Sequence, residues 1–248
     1  MLQKLKAAGL FWPTLATVAG VVLLINLGQW QWQRKAWKDG LIAERAARAQ
    51  AAPVPLADAL VASAKGQGTP EFLRVTLTGI FNHTHERHLY APLNAGPGWQ
   101  IMTPMLIPSA KLAVLVDRGF VPDALRDGKS RDDGQAVGPV TISGRIRLGG
   151  IKATFTPDNE PVRNIWYWRD IPTMFAASAD GFATAPFYVE ADSTATNPGG
   201  WPKPGASDAL FNNLSNRHLE YALTWWALAA TLLGVYGFFT HSKWPRRS

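Results

Sequence analysis

The sequence predicts an α+β membrane protein in which two transmembrane helices flank one mostly antiparallel β domain, barrel- or sandwich-like, with a few short helices. Residues 10–30 carry no charged side chain, and residues 219–239 carry only Glu220. A helix rises ~1.5 Å per residue, so each stretch would span ~30 Å, the thickness of the hydrocarbon core of a bilayer. Between them, residues 72–191 contain short runs of alternating apolar and polar side chains, which is typical of strands.

The first apolar stretch predicts a retained helix; the alternative is a cleaved signal peptide. A signal peptide has an apolar region of ~7–15 residues followed by small residues at its cleavage site. Here the stretch is longer, is bracketed by Trp12 and Trp30, and ends in the bulky run 28–34. The helical pattern continues through residues 33–52 and stops before Pro53, which predicts a helical stalk that leaves the membrane.

Six segments predict the strands of the middle domain. They are rich in Val, Ile, Leu, Thr and aromatic residues and are bounded by Gly, Pro, Asn and Asp. They cover residues 72–81, 87–91, 99–107, 112–121, 139–148 and 187–191. VTLTGI at 75–80 and VTISGR at 140–145 are similar, which predicts two related strands in one antiparallel sheet. Residues 56–64 and 172–181 predict short helices, and the middle is long enough for one compact domain.

The predicted organisation has seven parts. In chain order they are a cytoplasmic tail (1–9), transmembrane helix 1 (10–32), a membrane-proximal helical stalk (33–52), an extracytoplasmic mostly-β domain (53–210), a membrane re-entry segment (211–218), transmembrane helix 2 (219–239) and a second cytoplasmic tail (240–248). Basic residues after the second span favour cytoplasmic termini. Basic residues just after the first span oppose this orientation, but long domains cross membranes largely regardless of charge. We therefore expect the β domain to lie outside the cytoplasm.

Composition excludes several classes of function. The net charge is +7, but residues 34–220 hold 20 basic and 18 acidic residues, a net charge of only +2. Nucleic-acid binding needs a concentrated basic face, so no nucleic-acid partner is expected. The chain has no cysteine, which excludes disulfides, thiolate zinc sites and a cysteine nucleophile. It also lacks the Gly-x-Ser-x-Gly, His-Glu-x-x-His and phosphate-loop motifs, so we do not expect an enzyme.

His218 stands at the mouth of the second apolar stretch. At 100° per residue that helix has two faces. One face is a stripe of small residues that favours close approach of another helix, formed by Leu223, Ala227, Ala230, Gly234 and Gly237. The other face holds His218, Ala222, Trp225, Ala229, Leu232 and Tyr236. His218 is therefore predicted to face away from the helix–helix contact, where a flat, apolar, metal-centred ligand would fit. The alternative is a histidine that only solvates a helix end.

Two other clusters could carry chemistry. His83, His85 and His88 in the run NHTHERH are metal-type ligands, but their spacing matches no defined site and a solvated turn is the alternative. Asp117 and Arg118 follow an apolar strand and predict a structural pair at a turn.

Residues 155–170 combine aromatic and arginine side chains. This composition favours a contact surface for a membrane or a partner protein. The alternative is ordinary loop packing beneath an aromatic lid.

Several motifs, in order along nearly the whole chain, resemble the surfeit-locus family of cytochrome c oxidase assembly factors. They are the exit of the first helix, with Leu27, Gly28, Trp30, Gln31, Arg34, Trp37, Lys38, Leu41 and Ile42, followed by GWQIMTPM at 98–105, VDRGFVP at 116–122, the stretch 157–170, PGGWPKP at 198–204 and NRHLEYALTWW at 216–226. The resemblance implies a multi-pass inner-membrane protein with its large domain on the periplasmic side. It also implies a role in building haem–copper oxidase, with haem a delivered to the catalytic subunit.

The resemblance also assigns residues. Bacterial members of the family are described as haem a binders, and the histidine that matches their membrane-helix motif is His218, the expected axial ligand. Trp225 and Tyr221 are expected beside the cofactor. On its adjacency to His218 alone, Arg217 could pair with a propionate or could instead extend to the membrane interface. Expected partners are the catalytic subunit of the oxidase and haem a synthase or other assembly factors. The alternative function is a membrane-anchored scaffold that docks onto the oxidase subunit without binding haem.

Overall fold

The computed structural model describes residues 9–66, 68–92, 96–176, 178–192, 197, 200–204 and 217–243. The predicted tails at 1–9 and 240–248 and the predicted re-entry segment at 211–218 lie partly or largely outside these residues. The chain divides into two units, one formed by Met1–Glu44 and Leu214–Ser248, the other by Arg45–Asn213.

The first unit is built on two long apolar helices, α1 (Phe11–Gln50), whose last six residues belong to the second unit, and α4 (His218–Lys243). Both are long and apolar enough to cross a membrane. In the apolar 18-residue stretch of each helix, only 6% of α1 and 11% of α4 is buried within the protein. Their apolar side chains therefore face outward, as a bilayer requires and as the core helix of a water-soluble protein does not. With 40 residues, α1 is ~60 Å long, about twice the hydrocarbon thickness, so span and stalk form one continuous helix.

The two helices pack along the face of α4 that was predicted to be free. Ala222 and Ala229 are buried, and the Tyr236 hydroxyl hydrogen-bonds to Thr14 of α1. Leu232 packs on Gly20 of α1, at 3.0 Å from the position that a Cβ there would take. A Cβ on Gly28 would overlap the indole of Trp226. The close approach of the two backbones is therefore provided by glycines of α1.

The stripe of Leu223, Ala227, Ala230, Gly234 and Gly237, predicted to let another helix approach, does not contact α1. All five are exposed, and neither glycine would bring a Cβ within 4 Å of another residue. A small residue is needed on only one helix of a close pair, because the other helix then supplies the side chain that fills the space. Here α1 supplies the small residues and α4 the large ones, so the stripe on α4 was not the contact surface.

The second unit contains the remaining elements. These are β1 (Val54–Pro55), α2 (Leu56–Ala64), β2 (Arg74–Phe81), β3 (Arg87–Tyr90), β4 (Gly98–Ile107), β5 (Leu112–Pro122), β6 (Pro139–Leu148), β7 (Ile165–Trp166), α3 (Ile171–Met174) and β8 (Ala183–Ala191), with short 3-10 helices at His83–His85, Pro108–Ala110, Asp123–Leu125, Gly128–Gly134 and Pro161–Arg163. All six predicted strands are present, and α2 has its predicted bounds. The helix predicted at 172–181 is only one turn, capped by Asp170, whose side chain accepts a hydrogen bond from the Thr173 N–H.

Five strands close into a barrel, in the order β2-β6-β8-β5-β4 and back to β2. The closing contact pairs Ile80 with Leu106 and Phe81 with Met105. Pairings β1–β2, β3–β7 and β5–β8 are parallel and the other five are antiparallel, so the mostly antiparallel, barrel-like prediction is confirmed. The two similar segments pair with each other as β2 and β6.

Two apolar clusters stabilise this unit. The barrel interior is filled by side chains such as Val75, Val114 and Val189, and α2 adds Leu56 and Ala59 to the same cluster. A second cluster lies on the outer face of the barrel, where residues 165–182 cover β5 and β8; its members include Leu89, Met102, Leu115, Trp166, Met174 and Tyr188. Strand β5 is therefore buried on both faces, which explains its almost unbroken apolar sequence.

Candidate functional site

His218 lies at the start of α4 and is hydrogen-bonded to a side chain of α1. Its Nδ1 is 2.7 Å from Oε1 of Gln31. Because an amide oxygen can only accept a hydrogen bond, this contact favours the tautomer in which Nδ1 carries the hydrogen and Nε2 the lone pair. Within the described residues Nε2 has no hydrogen-bond partner, and the ring is half-buried. The prediction that His218 faces away from the helix–helix contact was wrong, because that contact runs along its own face of α4.

Aromatic side chains surround this end of the helix pair. The Trp226 ring, seated on Gly28, lies 6.2 Å from the ring of Trp32. Trp225 is half-buried, whereas Tyr221 is 52% exposed. Tryptophan and tyrosine favour the interface between hydrocarbon and water, so the aromatics at this end of the helix pair are typical of such an interface.

Arg217 already has an anionic partner. Its Nε and Nη2 donate to Oε2 of Glu220 at 2.9 and 2.8 Å, and both side chains are exposed. Exposed ion pairs of this kind are weak and exchange readily. Arg217 could therefore pair with another anion through its remaining N–H donors or by leaving Glu220.

The residues present fit an axial ligand of a haem iron. Histidines that bind metal generally donate their second ring N–H to an acceptor, which fixes the tautomer and the ring orientation. His218 has this arrangement, with Gln31 as the acceptor and Nε2 available. His218 would hold the iron, and Trp225 and Tyr221 are the aromatic residues of α4 that lie within two turns of it.

The histidines at 83–88 take part in a network of hydrogen bonds. His83 Nε2 is 2.9 Å from the Ala136 carbonyl, and its Nδ1 accepts from Arg118 at 3.3 Å. His88 Nε2 bonds to Glu86, and its Nδ1 accepts from Arg126 at 3.1 Å. No group of three or more metal-type ligands occurs among the residues that the structure describes. The structure therefore gives the metal alternative no support.

The same network buries charges that the sequence analysis missed. Arg131 donates to Glu86, and both side chains are at most 9% exposed. Burial acts to raise the pKa of Glu86, but hydrogen bonds from His88 and Arg131 outweigh it and hold the pKa below its usual value. Burial lowers the pKa of His83, so its ring is neutral at pH 7. A cleft of about 700 Å³ lies over these groups. The only sequence signal was the density of ionisable residues around them.

The sequence analysis predicted that Asp117 and Arg118 form a pair at a turn. This was wrong, because both residues lie within β5. Both are buried, and they contact different partners, because neighbouring residues of a strand point to opposite faces. Asp117 lies 3.6 Å from Arg169, and burial raises its pKa to about 6. Arg118 donates to Asn197 at 2.9 Å, and burial lowers its pKa to about 10.

The aromatic and arginine-rich stretch divides into two parts. Trp166 is 1% exposed and belongs to the outer core, as loop packing predicts. By contrast Phe155 is 97% exposed, and Ile151 and Val162 are also fully exposed. Residues 151–162 therefore present apolar side chains to solvent, as a contact surface does.

The sequence profile of the SURF1 family matches residues 18–230, which include most of α1, all strands of the β domain and the first half of α4. The chain belongs to the SURF1 family. It is 32% identical over 244 residues to a SURF1-like protein of Monosiga brevicollis, covering 94% of this chain and 88% of that protein. It is 33% identical over 221 residues to surfeit locus protein 1 of Rattus norvegicus, covering 83% and 68%. It is 32% identical over 226 residues to surfeit locus protein 1 of Homo sapiens, covering 84% and 71%.

Family membership confirms the resemblance read from the sequence motifs. His218 and Gln31 both lie within the part that the SURF1 profile matches. Together with the two helices that are able to cross a bilayer, the match makes this SURF1-family chain a membrane protein.

Proposed function

We propose that this SURF1-family protein is a binding protein that holds haem a at the membrane surface during assembly of haem–copper cytochrome c oxidase. The observation that carries the proposal is the hydrogen bond between His218 Nδ1 and Gln31, while Nε2 has no partner among the residues that the structure describes. Haem iron supplies a site for a neutral imidazole as axial ligand. The interfacial position also suits a molecule with two charged propionates and a long apolar tail.

The proposal includes a location and partners. The protein is placed in the inner membrane as a multi-pass protein, with its β domain on the periplasmic side. Its receiving partner is the catalytic subunit of the oxidase, and haem a synthase or another assembly factor would supply the haem. Arg217 is a second contact for a propionate, and because its side chain is exposed its contribution is expected to be small.

The test uses full-length protein purified in detergent from cells that make haem a. The absorption spectrum and the extracted pigment measure the haem a bound per protein. His218→Ala is expected to lose the pigment. His241→Ala is the matched control, because His241 is an exposed histidine on the same helix. Pigment that stays on His218→Ala would refute the assignment of the ligand.

A scaffold without haem is the second candidate, and the exposed side chains of Ile151, Phe155 and Val162 favour it. A scaffold would retain the oxidase subunit when His218 is replaced, but lose it when this apolar surface is made polar. Co-purification of the subunit with His218→Ala and with Phe155→Ser distinguishes the two candidates.

A further inference from the structure

We propose that Gln31 is a positioning residue that sets the tautomer of His218 and so makes Nε2 the ligating atom. The inference rests on the proposed function and deepens it. Neutral imidazole exists in two tautomers, and the nitrogen that binds a metal is decided by the hydrogen bond that the other nitrogen makes. In this chain that bond is the 2.7 Å contact from Nδ1 to the Gln31 amide oxygen.

Helix geometry selects Gln31 from three similar residues. Residues 29–33 read QWQWQ, so Gln29 and Gln33 each lie 200° around α1 from Gln31 at 100° per residue. Gln31 is half-buried on the face that meets α4, whereas Gln29 and Gln33 are exposed. The chain thus contains two glutamines of the same chemistry, close to Gln31, that serve as matched controls.

The acceptor is a neutral amide, although a carboxylate is close in sequence. Glu220 follows His218 by two residues, but its Oε2 accepts two hydrogen bonds from Arg217. A carboxylate acceptor would increase the basicity of the imidazole and strengthen its bond to iron, and an amide does so less. The amide therefore suits a protein that holds haem and then releases it.

The first test uses haem-free, full-length protein in detergent with ¹⁵N-labelled histidine. The ring-nitrogen shifts of His218, assigned by their loss in His218→Ala, report which nitrogen carries the hydrogen. The wild type and Gln29→Leu are expected to show the Nδ1–H form, and Gln31→Leu a mixture that gains Nε2–H. Gln31→Glu keeps an acceptor and should retain the Nδ1–H form even if Gln31→Leu folds poorly. An Nε2–H ring in the wild type, or an unchanged ring in a folded Gln31→Leu, overturns the inference.

The second test measures binding and redox behaviour with haem a as the probe. Loss of an outer hydrogen-bond partner typically weakens metal binding about 10–100-fold, which is the loss expected for Gln31→Leu and not for Gln29→Leu. The reduction potential of the bound haem should fall in the order Leu, Gln, Glu at position 31, because a stronger acceptor stabilises ferric iron. A purely structural role for Gln31 would not produce this order, and equal potentials would overturn the inference.

The two tests separate the failure of the inference from the failure of the proposed function. A wild-type protein that never takes up haem a removes the proposed function, while the tautomer of the haem-free protein still reports on Gln31. If the wild type binds haem a through His218 and Gln31→Leu behaves like the wild type in both tests, only the positioning role of Gln31 is refuted.

Discussion

Gly119 is a position where one added methyl group should cost this protein much of its stability. Its φ is +116°, a conformation that residues with a Cβ rarely adopt. A Cβ there would also overlap the carbonyl of Lys203, which belongs to the chain segment returning from the β domain. That segment is fastened by two backbone hydrogen bonds of 2.9 Å between Phe120 and Lys203. Gly119→Ala therefore strains the backbone and separates these two segments.

The magnitude follows from these two effects. A strained φ costs about 1–3 kcal/mol, and each of the two hydrogen bonds contributes about 0.5–1.5 kcal/mol. The free energy of unfolding should fall by about 2–6 kcal/mol, which lowers Tm by roughly 5–20 °C for a domain of this size.

The assay is thermal unfolding of the full-length protein in one fixed detergent, followed by circular dichroism. Gly138→Ala is the control, because Gly138 also has a positive φ, of +82°, but nothing lies within 4 Å of an added Cβ. Gly138→Ala should lose only the stability that the strained φ costs, so its Tm should fall by a few degrees. Equal losses in the two variants would show that the contact with Lys203 contributes nothing, and the reasoning would fail.

Three further predictions concern buried and exposed side chains of the same domain. Burial raises the pKa of Asp117 from 3.8 to about 6, so the folded protein binds the proton more tightly than the unfolded chain, and stability falls as the pH rises from about 4 to 6. Asp117→Asn should remove a fall of about 2 kcal/mol between pH 4.5 and pH 7, measured by denaturant unfolding at the two pH values; an unchanged pH dependence contradicts this. Phe155→Ser should change the free energy of unfolding by less than about 0.5 kcal/mol, whereas Trp166→Ala should lower it by about 3–5 kcal/mol in the same assay. Similar losses in the two variants would contradict an exposed Phe155 and a buried Trp166. Arg131→Met should cost about 3–5 kcal/mol because it leaves Glu86 buried and charged, and adding Glu86→Gln should restore much of it; no recovery would show that the charge of Glu86 is not the cause.

The strands could be predicted because their signal is local. An alternation of period two is visible within eight or ten residues, and all six segments found in this way are strands in the structure. β1 and β7 have two residues each, which is too short for any periodic pattern. The closure of the barrel depends on Ile80 meeting Leu106, and no local pattern contains that pairing.

The site was only partly predictable for a different reason. His218 could be singled out, since an ionisable ring at the mouth of an apolar helix is rare. Its hydrogen-bond partner Gln31 could not be predicted, because the face of α4 that packs on α1 depends on the sequences of both helices. The glycines that decide it, Gly20 and Gly28, lie on α1, whereas the prediction considered the small residues of α4 alone. The buried ion pair of Glu86 with Arg131 was missed because a charged residue in sequence normally indicates solvent exposure.

The measurement that tests the central claim most directly is the number of haem a molecules bound per protein in three preparations purified in parallel. These are the wild type, His218→Ala and His241→Ala, each made in cells that produce haem a. We expect near-stoichiometric haem a in the wild type and in His241→Ala, and almost none in His218→Ala. Equal occupancy in all three, or a colourless wild type, would contradict the claim that the imidazole of His218 holds the iron.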